Sequence, residues 1–155
     1  TLSFYVFDSS ALAKRYMPEV GSAWVASITK RSAKHKIFVA QVTPVEIVSA
    51  AMRRMHSGGL DLQTAKVIRL LVDRHYLRDY AEIRITNTLR ERAEDLLENH
   101  QLRAADAIQL ASAFDVHFRV RLIGLASPTF VCADQRLLAA AIAEGLQTDD
   151  PNLHP

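Results

Sequence analysis

Four short segments of the chain consist mainly of apolar and β-branched residues, and longer stretches of mixed character separate them. Segments of this length and composition are expected to form buried strands of a parallel sheet. The predicted strands are Phe4–Phe7, Ile37–Ala40, Ala81–Ile85 and Thr129–Ala133. We therefore expect a sheet that is covered on both faces.

Most of the chain between these segments has the apolar spacing of amphipathic helices. In Pro44–Met55, apolar side chains recur every three or four residues and form one stripe. The other predicted helices are Ser10–Tyr16, Ser22–Ser32, Asp61 to about Tyr80, Thr88–Asn99, Ala104–Phe118 and Gln135–Glu144. Gly145 is expected to cap the last of them.

Strands and helices thus alternate along the chain, and no internal repeat or low-complexity linker divides it. This order predicts an α/β fold, a three-layer α/β/α sandwich around a central parallel sheet. With 155 residues, 49% of them hydrophobic, the chain is long enough for one well-packed core and short for two. We expect residues 1–155 to form a single domain.

The composition excludes several classes of protein. The net charge of +2 is far below that of a histone-like nucleic-acid binder, although basic residues predominate up to Arg78 and acidic residues after it. The single cysteine, Cys132, cannot form an internal disulfide, and no Cys/His cluster has zinc spacing, which indicates a cytoplasmic protein. The longest apolar stretch, Leu122–Ala133, contains a glycine and a proline and is too short to cross a membrane.

Four acidic residues occupy similar positions relative to the predicted elements. Asp8 and Asp134 directly follow the first and the last predicted strand. Glu46 and Asp106 lie in the first turns of predicted helices. In open α/β sheets, helices begin at the carboxyl ends of the strands, and ligands bind there too. The four carboxylates are therefore expected at one end of the sheet.

Each of these acids, taken alone, has an ordinary structural explanation. Asp is a favoured N-cap, and an acid in the first turn complements the helix dipole. For Glu46, the sequence T-P-V-E that begins at Thr43 is also a capping-box pattern. Four like charges brought together, however, repel and raise one another's pKa unless a positive group lies among them. The joint pattern therefore points to a divalent cation.

Only carboxylate oxygens are available at this end of the sheet, since no His or Cys lies at ligand spacing. Such a donor set suits a hard ion, Mg²⁺ or Mn²⁺, rather than Zn²⁺ or copper. Mg²⁺ commonly keeps some water ligands and completes its shell with substrate phosphate. The pattern therefore indicates phosphodiester or phosphoryl chemistry with one ion or a pair.

Four stretches of the sequence resemble, in order and spacing, the motifs of PIN-domain ribonucleases, and in particular the VapC-type toxins of toxin–antitoxin modules. They are VFDSSALAKRY, TPVEIVSAA, LRAADAIQLASA and FVCADQRLLAAAIAEGL. The resemblance extends from Phe4 to about Gln147. Two departures stand out: Cys132 replaces a Ser or Thr that many relatives carry, and the segment Val120–Pro128 is longer than usual.

The resemblance implies an acidic tetrad of Asp8, Glu46, Asp106 and Asp134 that holds Mg²⁺ or Mn²⁺. The Ser10 hydroxyl would orient a carboxylate or a water molecule. The implied activity is that of an endoribonuclease, which hydrolyses RNA phosphodiester bonds and leaves a 5′-phosphate and a 3′-hydroxyl. The implied biological role is the toxin of a type II toxin–antitoxin system, with a cognate antitoxin protein as its partner.

Four basic residues near the acidic motifs are candidates for contacts with RNA phosphates. Arg53 lies seven residues after Glu46, two turns along the same helix face and about 10 Å away. The others are Lys14, Arg15 and Arg103, at the ends of the acidic motifs. Each of them is also explained as an ordinary surface charge.

The predicted helix from Asp61 to about Tyr80 carries more apolar residues than one buried stripe requires. The surplus, in a hairpin with Pro44–Met55, indicates contact with another chain. In VapC-type toxins such surfaces serve homodimerisation and antitoxin binding. The resemblance therefore implies a homodimer as well as an antitoxin complex.

Two kinds of alternative function are compatible with a layered α/β fold, and the first is a phosphatase or a phosphoreceiver domain that also depends on Mg²⁺. A phosphatase of the haloacid-dehalogenase type needs a second Asp two residues after the first, where this chain has Ser10, and a phosphoreceiver domain needs a paired acid and a late lysine that this chain lacks. A catalytically silent RNA-binding or protein-interaction module with the PIN fold is the second alternative. The presence of all four acids argues against that module.

Overall fold

Five parallel strands form the central sheet of the protein. In the computed structural model, which describes residues 2–155, they are β1 (Phe4–Phe7), β2 (Lys36–Ala40), β3 (Ala81–Ile83), β4 (Thr129–Val131) and β5 (Gln147–Asp149). Their order across the sheet is β3-β2-β1-β4-β5, and every neighbouring pair is parallel. The predicted α/β fold with a parallel sheet is confirmed.

Seven α-helices lie between the strands within residues 2–155. They are α1 (Ser9–Leu12), α2 (Ser22–Thr29), α3 (Thr43–His56), α4 (Leu62–Arg78), α5 (Asn87–Asn99), α6 (Ala104–Leu122) and α7 (Gln135–Ala143). Short 3₁₀ turns cover Ala13–Arg15, Arg31–Ala33 and Pro151–Leu153. Within the described part of the chain, no helix is both long enough and apolar enough to cross a membrane.

The helices cover the two faces of the sheet as separate layers. Helices α1 to α4 pack on one face around strand residues such as Phe7 and Val39. Helices α5, α6 and α7 pack on the other face around Val6 and Ile83. Because successive strand residues point to opposite faces, the neighbours Val6 and Phe7 belong to different cores. The protein is thus the expected three-layer sandwich.

Strand β1 lies where the chain changes its direction across the sheet. From β1 the chain moves to β2 and β3 on one side, and it then returns to β4 and β5 on the other. In open α/β sheets, the connections that diverge from such a point leave a ligand-binding crevice at the carboxyl ends of the strands. The backbone N–H of Asp8 donates to the carbonyl of Val131 at 3.0 Å, which joins the ends of β1 and β4 there.

Some boundaries differ from the sequence-based prediction. The predicted helix Ser10–Tyr16 is wrong as one element, because α1 ends at Leu12 and a 3₁₀ turn follows. Strands β3 and β4 each end two residues earlier than expected, and α6 continues to Leu122. Strand β5 has the polar sequence QTD, which gives no hydrophobic signal; its pairing with β4 defines it.

The capping box expected at the start of α3 is also wrong. The N-cap of α3 is Val42, and no side chain caps this helix end. The Thr43 hydroxyl instead accepts a hydrogen bond from the Gln109 amide at 2.8 Å, and the same amide donates to Glu46 at 2.8 Å. Helix capping therefore does not explain Glu46.

Candidate active site

A cleft of about 750 Å³ opens at the carboxyl edge of the sheet. Helices α1, α3 and α6 and the loop after β4 contribute its walls. Among the predicted site residues, its lining includes Ser10, Glu46, Asp106 and Asp134. Asp8 is only 3% exposed and lies next to Ser9 and Ser10, which line the cleft. The structure thus brings all four predicted acids to one end of the sheet.

Asp8 is the N-cap of α1 and is buried between this helix and the end of β1. Its carboxylate accepts a hydrogen bond from the backbone N–H of Ala11 at 2.9 Å, and the Ser10 hydroxyl lies within 2.9 Å of both carboxylate oxygens. Burial raises the pKa of Asp8 to about 6, although these hydrogen bonds lower it. Asp8 is therefore mostly ionised at neutral pH, at an energetic cost.

Glu46 projects from the first turn of α3 and is half-buried. Its Oε1 accepts a hydrogen bond from Nε2 of Gln109 at 2.8 Å. Burial raises the pKa of Glu46, the hydrogen bond from Gln109 lowers it, and the negative charge of Asp106 raises it. Glu46 and Asp106 are therefore close enough to repel each other.

Asp106 and Asp134 continue this series of interacting carboxylates. Burial raises the pKa of Asp106, and the charge of Asp134 raises it further. Asp134 is the N-cap of α7 and accepts hydrogen bonds from the backbone N–H groups of Arg136 at 2.9 Å and Leu137 at 3.0 Å. Asp106 therefore interacts electrostatically with both Glu46 and Asp134.

Ser10 connects the first and the last acidic motif. Besides contacting Asp8, its hydroxyl oxygen accepts a hydrogen bond from the backbone N–H of Ala133 at 2.9 Å. The Cys132 thiol lies 3.7 Å from the same oxygen and accepts a hydrogen bond from the backbone N–H of Asp134 at 3.4 Å. Cys132 thus stabilises the loop that carries Asp134, in the place where relatives are expected to carry a hydroxyl.

The donor atoms of the site fit a hard divalent ion, because they are carboxylate oxygens and a hydroxyl. Among residues 2–155, however, no three His, Cys, Asp or Glu side chains lie close enough together to hold a metal ion. The carboxylates of Asp8 and Asp134 are turned toward the backbone N–H groups of the helices that they cap. Asp8 and Asp134 therefore act as helix N-caps in this structure.

Two of the four basic residues predicted from the sequence are exposed and line the cleft. Arg53 and Arg103 both belong to its lining. The guanidinium of Arg53 donates to the Ser49 hydroxyl at 2.8 Å, one turn back on the same exposed helix face. Both residues therefore add positive charge to the wall of the cleft.

The other two basic residues have internal partners. Lys14 lines the cleft but is buried, and its Nζ donates to the carbonyl of Val20 at 2.9 Å and lies 3.5 Å from Glu19. Arg15 lies outside the cleft lining and donates to the Tyr80 hydroxyl at 2.6 Å. The structure therefore gives Arg15 a role in packing rather than one at the site.

Several polar residues at the cleft were not predicted from the sequence. Arg54 and Asn152 belong to its lining, and Gln109 holds Glu46 from behind. For Gln109 a sequence signal exists, because it follows Asp106 by three residues and so lies on the same helix face. For Asn152 none exists, since the last turn of the chain reaches the cleft only through tertiary packing.

Residues 5–142 of the chain match the family model described as the PIN domain. Among curated protein sequences, none matches this chain significantly. Among solved structures, the chain is similar to PAE2754 from Pyrobaculum aerophilum, with 20% identity, a TM-score of 0.61, and coverage of 96% of this chain and 92% of that one.

Two toxin–antitoxin structures are similar to the chain to nearly the same degree. A toxin–antitoxin complex from Klebsiella pneumoniae has 16% identity and a TM-score of 0.59, covering 95% of this chain and 97% of the other. VapBC2 from Rickettsia felis, bound to a DNA fragment from its promoter, has 8% identity and a TM-score of 0.60, covering 97% and 98%. At these identities the likeness establishes the fold alone.

Proposed function

Since this chain belongs to the PIN-domain family, we propose that it is a Mg²⁺- or Mn²⁺-dependent endoribonuclease and the toxin of a type II toxin–antitoxin system. The observation that carries the proposal is the convergence of four acids at one end of the sheet. Asp8, Glu46, Asp106 and Asp134 come from separate parts of the sequence, and three of them line one cleft. A cluster of like charges is costly unless a cation binds there.

Asp8, Glu46, Asp106 and Asp134 would hold the ion. When bound, Mg²⁺ or Mn²⁺ supplies Lewis-acid polarisation of the scissile phosphate. The chain itself contributes the geometry: the Ser10 hydroxyl fixes Asp8, and Gln109 fixes Glu46. Because the acids carry the negative charge that attracts the ion, replacing any of them by its amide removes part of the site.

The proposal of a nucleic-acid substrate rests on the charges around the acids. Arg53, Arg54 and Arg103 line the same cleft as the acidic residues. Guanidinium groups bind phosphate oxygens, and a polyanion held on both sides of an ion site is positioned for cleavage of its backbone. The choice of RNA over DNA rests on the resemblance of the four motifs to PIN-domain ribonucleases.

The proposal of a toxin role rests on α4 and on the similar structures. One of them is described as a toxin–antitoxin complex. In this chain, several large apolar side chains of α4 are exposed, namely Leu62, Val67, Leu70, Leu71 and Leu77. A surface of this kind is typical of a helix that contacts another protein. An antitoxin and a second copy of the chain are the proposed partners.

The experiment that tests the activity is incubation of the purified chain with a mixed RNA pool. We expect cleavage with Mg²⁺ or Mn²⁺, no cleavage with EDTA, and products that end in a 5′-phosphate and a 3′-hydroxyl. Cleavage that persists in EDTA, or products with a cyclic phosphate, would contradict the proposed chemistry. RNA binding without cleavage under any metal would instead identify the catalytically silent module.

The toxin role needs a separate test in cells. Expression of the chain should arrest growth, and co-expression of the small protein encoded next to it should relieve the arrest. Expression of the Asp106→Asn variant is the matched control and should not arrest growth. Unimpaired growth with the active chain would contradict the toxin role while leaving the nuclease activity standing.

A further inference from the structure

Gln109 is an uncharged polar residue buried directly behind the acidic cleft. It lies on α6, three residues after Asp106, and only 1% of its surface is exposed. Its Nε2 donates two hydrogen bonds of 2.8 Å, one to Oε1 of Glu46 and one to the hydroxyl of Thr43. Both acceptors lie in the first turn of α3. Gln109 therefore connects the two helices that carry Glu46 and Asp106.

Packing alone does not explain a glutamine at this position. Its Oε1 is buried and has no hydrogen-bond partner among the residues that the structure describes. A buried polar atom without a partner destabilises a fold, and an apolar side chain of similar length would avoid that cost. The two hydrogen bonds that its N–H groups donate to Glu46 and Thr43 therefore account for an amide at this position.

The two hydrogen bonds fix a side chain that would otherwise be flexible. A glutamate has three side-chain torsions, and Glu46 is half-buried at the cleft wall. An ionised carboxylate is an acceptor only, so it selects the amide orientation that presents Nε2 rather than Oε1. The hydroxyl of Thr43, itself fully buried, accepts from the second N–H and prevents the amide from swinging away.

We propose that Gln109 is a positioning residue that holds the Glu46 carboxylate at the cleft wall, where the divalent ion would bind. This inference rests on the proposed metal-dependent activity and adds to it a residue outside the acidic tetrad. Partners that orient a metal-binding side chain typically change metal affinity or activity by about 10- to 100-fold when they are removed. Gln109 acts through Glu46 and touches neither the ion nor RNA.

The test is the binding of Mn²⁺ to the purified full chain, measured by calorimetry and independently of RNA cleavage. Gln109→Met keeps the length of the side chain and removes both donors. We expect it to weaken Mn²⁺ binding by about 10-fold or more and to lower kcat with little change in KM for RNA. Ser112→Ala is the matched control: Ser112 is also buried on α6, but its hydroxyl bonds to the carbonyl of Ile108. It should bind Mn²⁺ like the wild type.

A double-mutant cycle separates positioning from general structural damage. In a Glu46→Gln background there is no carboxylate to hold, so the further change Gln109→Met should alter Mn²⁺ affinity by less than about twofold. An equal loss in both backgrounds would show that Gln109 acts on the fold and not through Glu46. Unchanged Mn²⁺ affinity in Gln109→Met alone would overturn the proposal directly.

Thr43 provides a second route if Gln109→Met does not fold. Thr43→Val removes the acceptor that steadies the amide, and it should weaken Mn²⁺ binding severalfold, whereas Thr43→Ser should restore it. Wild-type affinity in Thr43→Val would contradict the positioning role. Failure of the proposed function gives a different pattern, because the wild-type chain itself would then bind no Mn²⁺ and cleave no RNA.

Discussion

Asp8 is the most deeply buried of the four acids, and its burial has a measurable consequence. Its pKa is raised from 3.8 to about 6 by burial, despite hydrogen bonds from Ala11 and Ser10. The ionised Asp8 carboxylate therefore lowers the free energy of unfolding at neutral pH. A cation bound beside the carboxylate would offset this cost, which links the stability of the fold to the occupancy of the site.

Replacement of Asp8 by Asn should stabilise the metal-free fold at neutral pH. Below the unfolded pKa of 3.8 the carboxyl is protonated in both states, and between 3.8 and about 6 the folded state holds the proton more tightly. The free energy of unfolding of the wild type therefore falls as pH rises through this window. We expect Asp8→Asn to gain on the order of 3 kcal/mol at about pH 7.5 and little at about pH 3.5.

Urea unfolding in EDTA at both pH values measures this difference. Asp115→Asn is the control. Asp115 is partly exposed, forms a 2.6 Å ion pair with Arg119, and does not line the cleft. It should show no pH-dependent gain of this size. An Asp8→Asn variant that is less stable than the wild type at both pH values would contradict the account of Asp8.

At the scale of single residues, the sequence identifies the four acids and Ser10 but not Gln109. Asp8 directly follows β1, Asp134 lies three residues after the end of β4, and Asp106 lies in the first turn of α6, so the spacing predicts the end of the sheet at which they lie. Gln109 reaches Glu46 across 63 positions of sequence. Such a contact exists only once α3 and α6 have packed, and no local pattern encodes it.

Among the elements, the C-terminal segment (147–155) contributes most unexpectedly to the site. Strand β5 pairs with β4, and the 3₁₀ turn that follows brings Asn152 to the cleft. The Trp24 ring stacks on the His154 ring with centroids 4.1 Å apart and planes 2° from parallel. The 3₁₀ turn and His154 therefore pack one rim of the cleft against α2.

This packing of the C-terminal segment against α2 depends on Gly21, the N-cap of α2. Gly21 has φ of 87°, and a Cβ there would collide with the carbonyl oxygen of Pro151. We expect Gly21→Ala to lower the free energy of unfolding by about 2 to 4 kcal/mol, because strain in the left-handed region adds to the displacement of Pro151. Gly58→Ala is the matched control, since its φ is 84° but no atom lies near the added Cβ.

Urea unfolding of the two variants, with tryptophan fluorescence of the folded state, checks this prediction. Trp24 is the single tryptophan of the chain, so its emission reports on the stack with His154. Gly58→Ala should cost only about 1 kcal/mol and leave the emission unchanged. Equal losses in the two variants, with unchanged emission in both, would contradict the close packing of Gly21 and Pro151.

The strands and helices could be predicted from the sequence where they bury apolar residues in a regular pattern. Strands β1 to β4 have apolar cores, and the stripe of Pro44–Met55 lies within α3. Strand β5 carries no apolar residue and is fixed by backbone pairing with β4. The end of α1 at Leu12 has no signal in the sequence either, because buried apolar residues continue from α1 into the 3₁₀ turn that follows.

At the scale of the whole molecule, the cleft and the exposed apolar face of α4 are separate surfaces. The cleft lining contains no residue of α4. Leu70 and Leu77 lie seven residues apart on α4 and are 68% and 84% exposed. Because seven residues make two helical turns, the two side chains share one face. A protein partner bound there would leave the acids accessible from their own side.

The double substitution Leu70→Glu, Leu77→Glu should weaken association with another chain and leave the fold intact. Both side chains are exposed, so their loss costs little stability, whereas charge on an apolar contact surface opposes binding. Sedimentation of the purified chain, and copurification with the small protein encoded beside it, measure the effect. Leu122→Glu is the control, since Leu122 is 86% exposed at the end of α6. Unchanged association in the double variant would contradict a partner role for α4.

The central claim is that four acids act together as one metal-dependent site. It is tested most directly by single-turnover cleavage rates of one fluorescent RNA with saturating Mn²⁺. We predict that Asp8→Asn, Glu46→Gln, Asp106→Asn and Asp134→Asn each lower the rate by at least about 100-fold, while Asp115→Asn stays within about twofold of the wild type. Wild-type rates in any of the four variants, or cleavage by the wild type in EDTA, would contradict the claim.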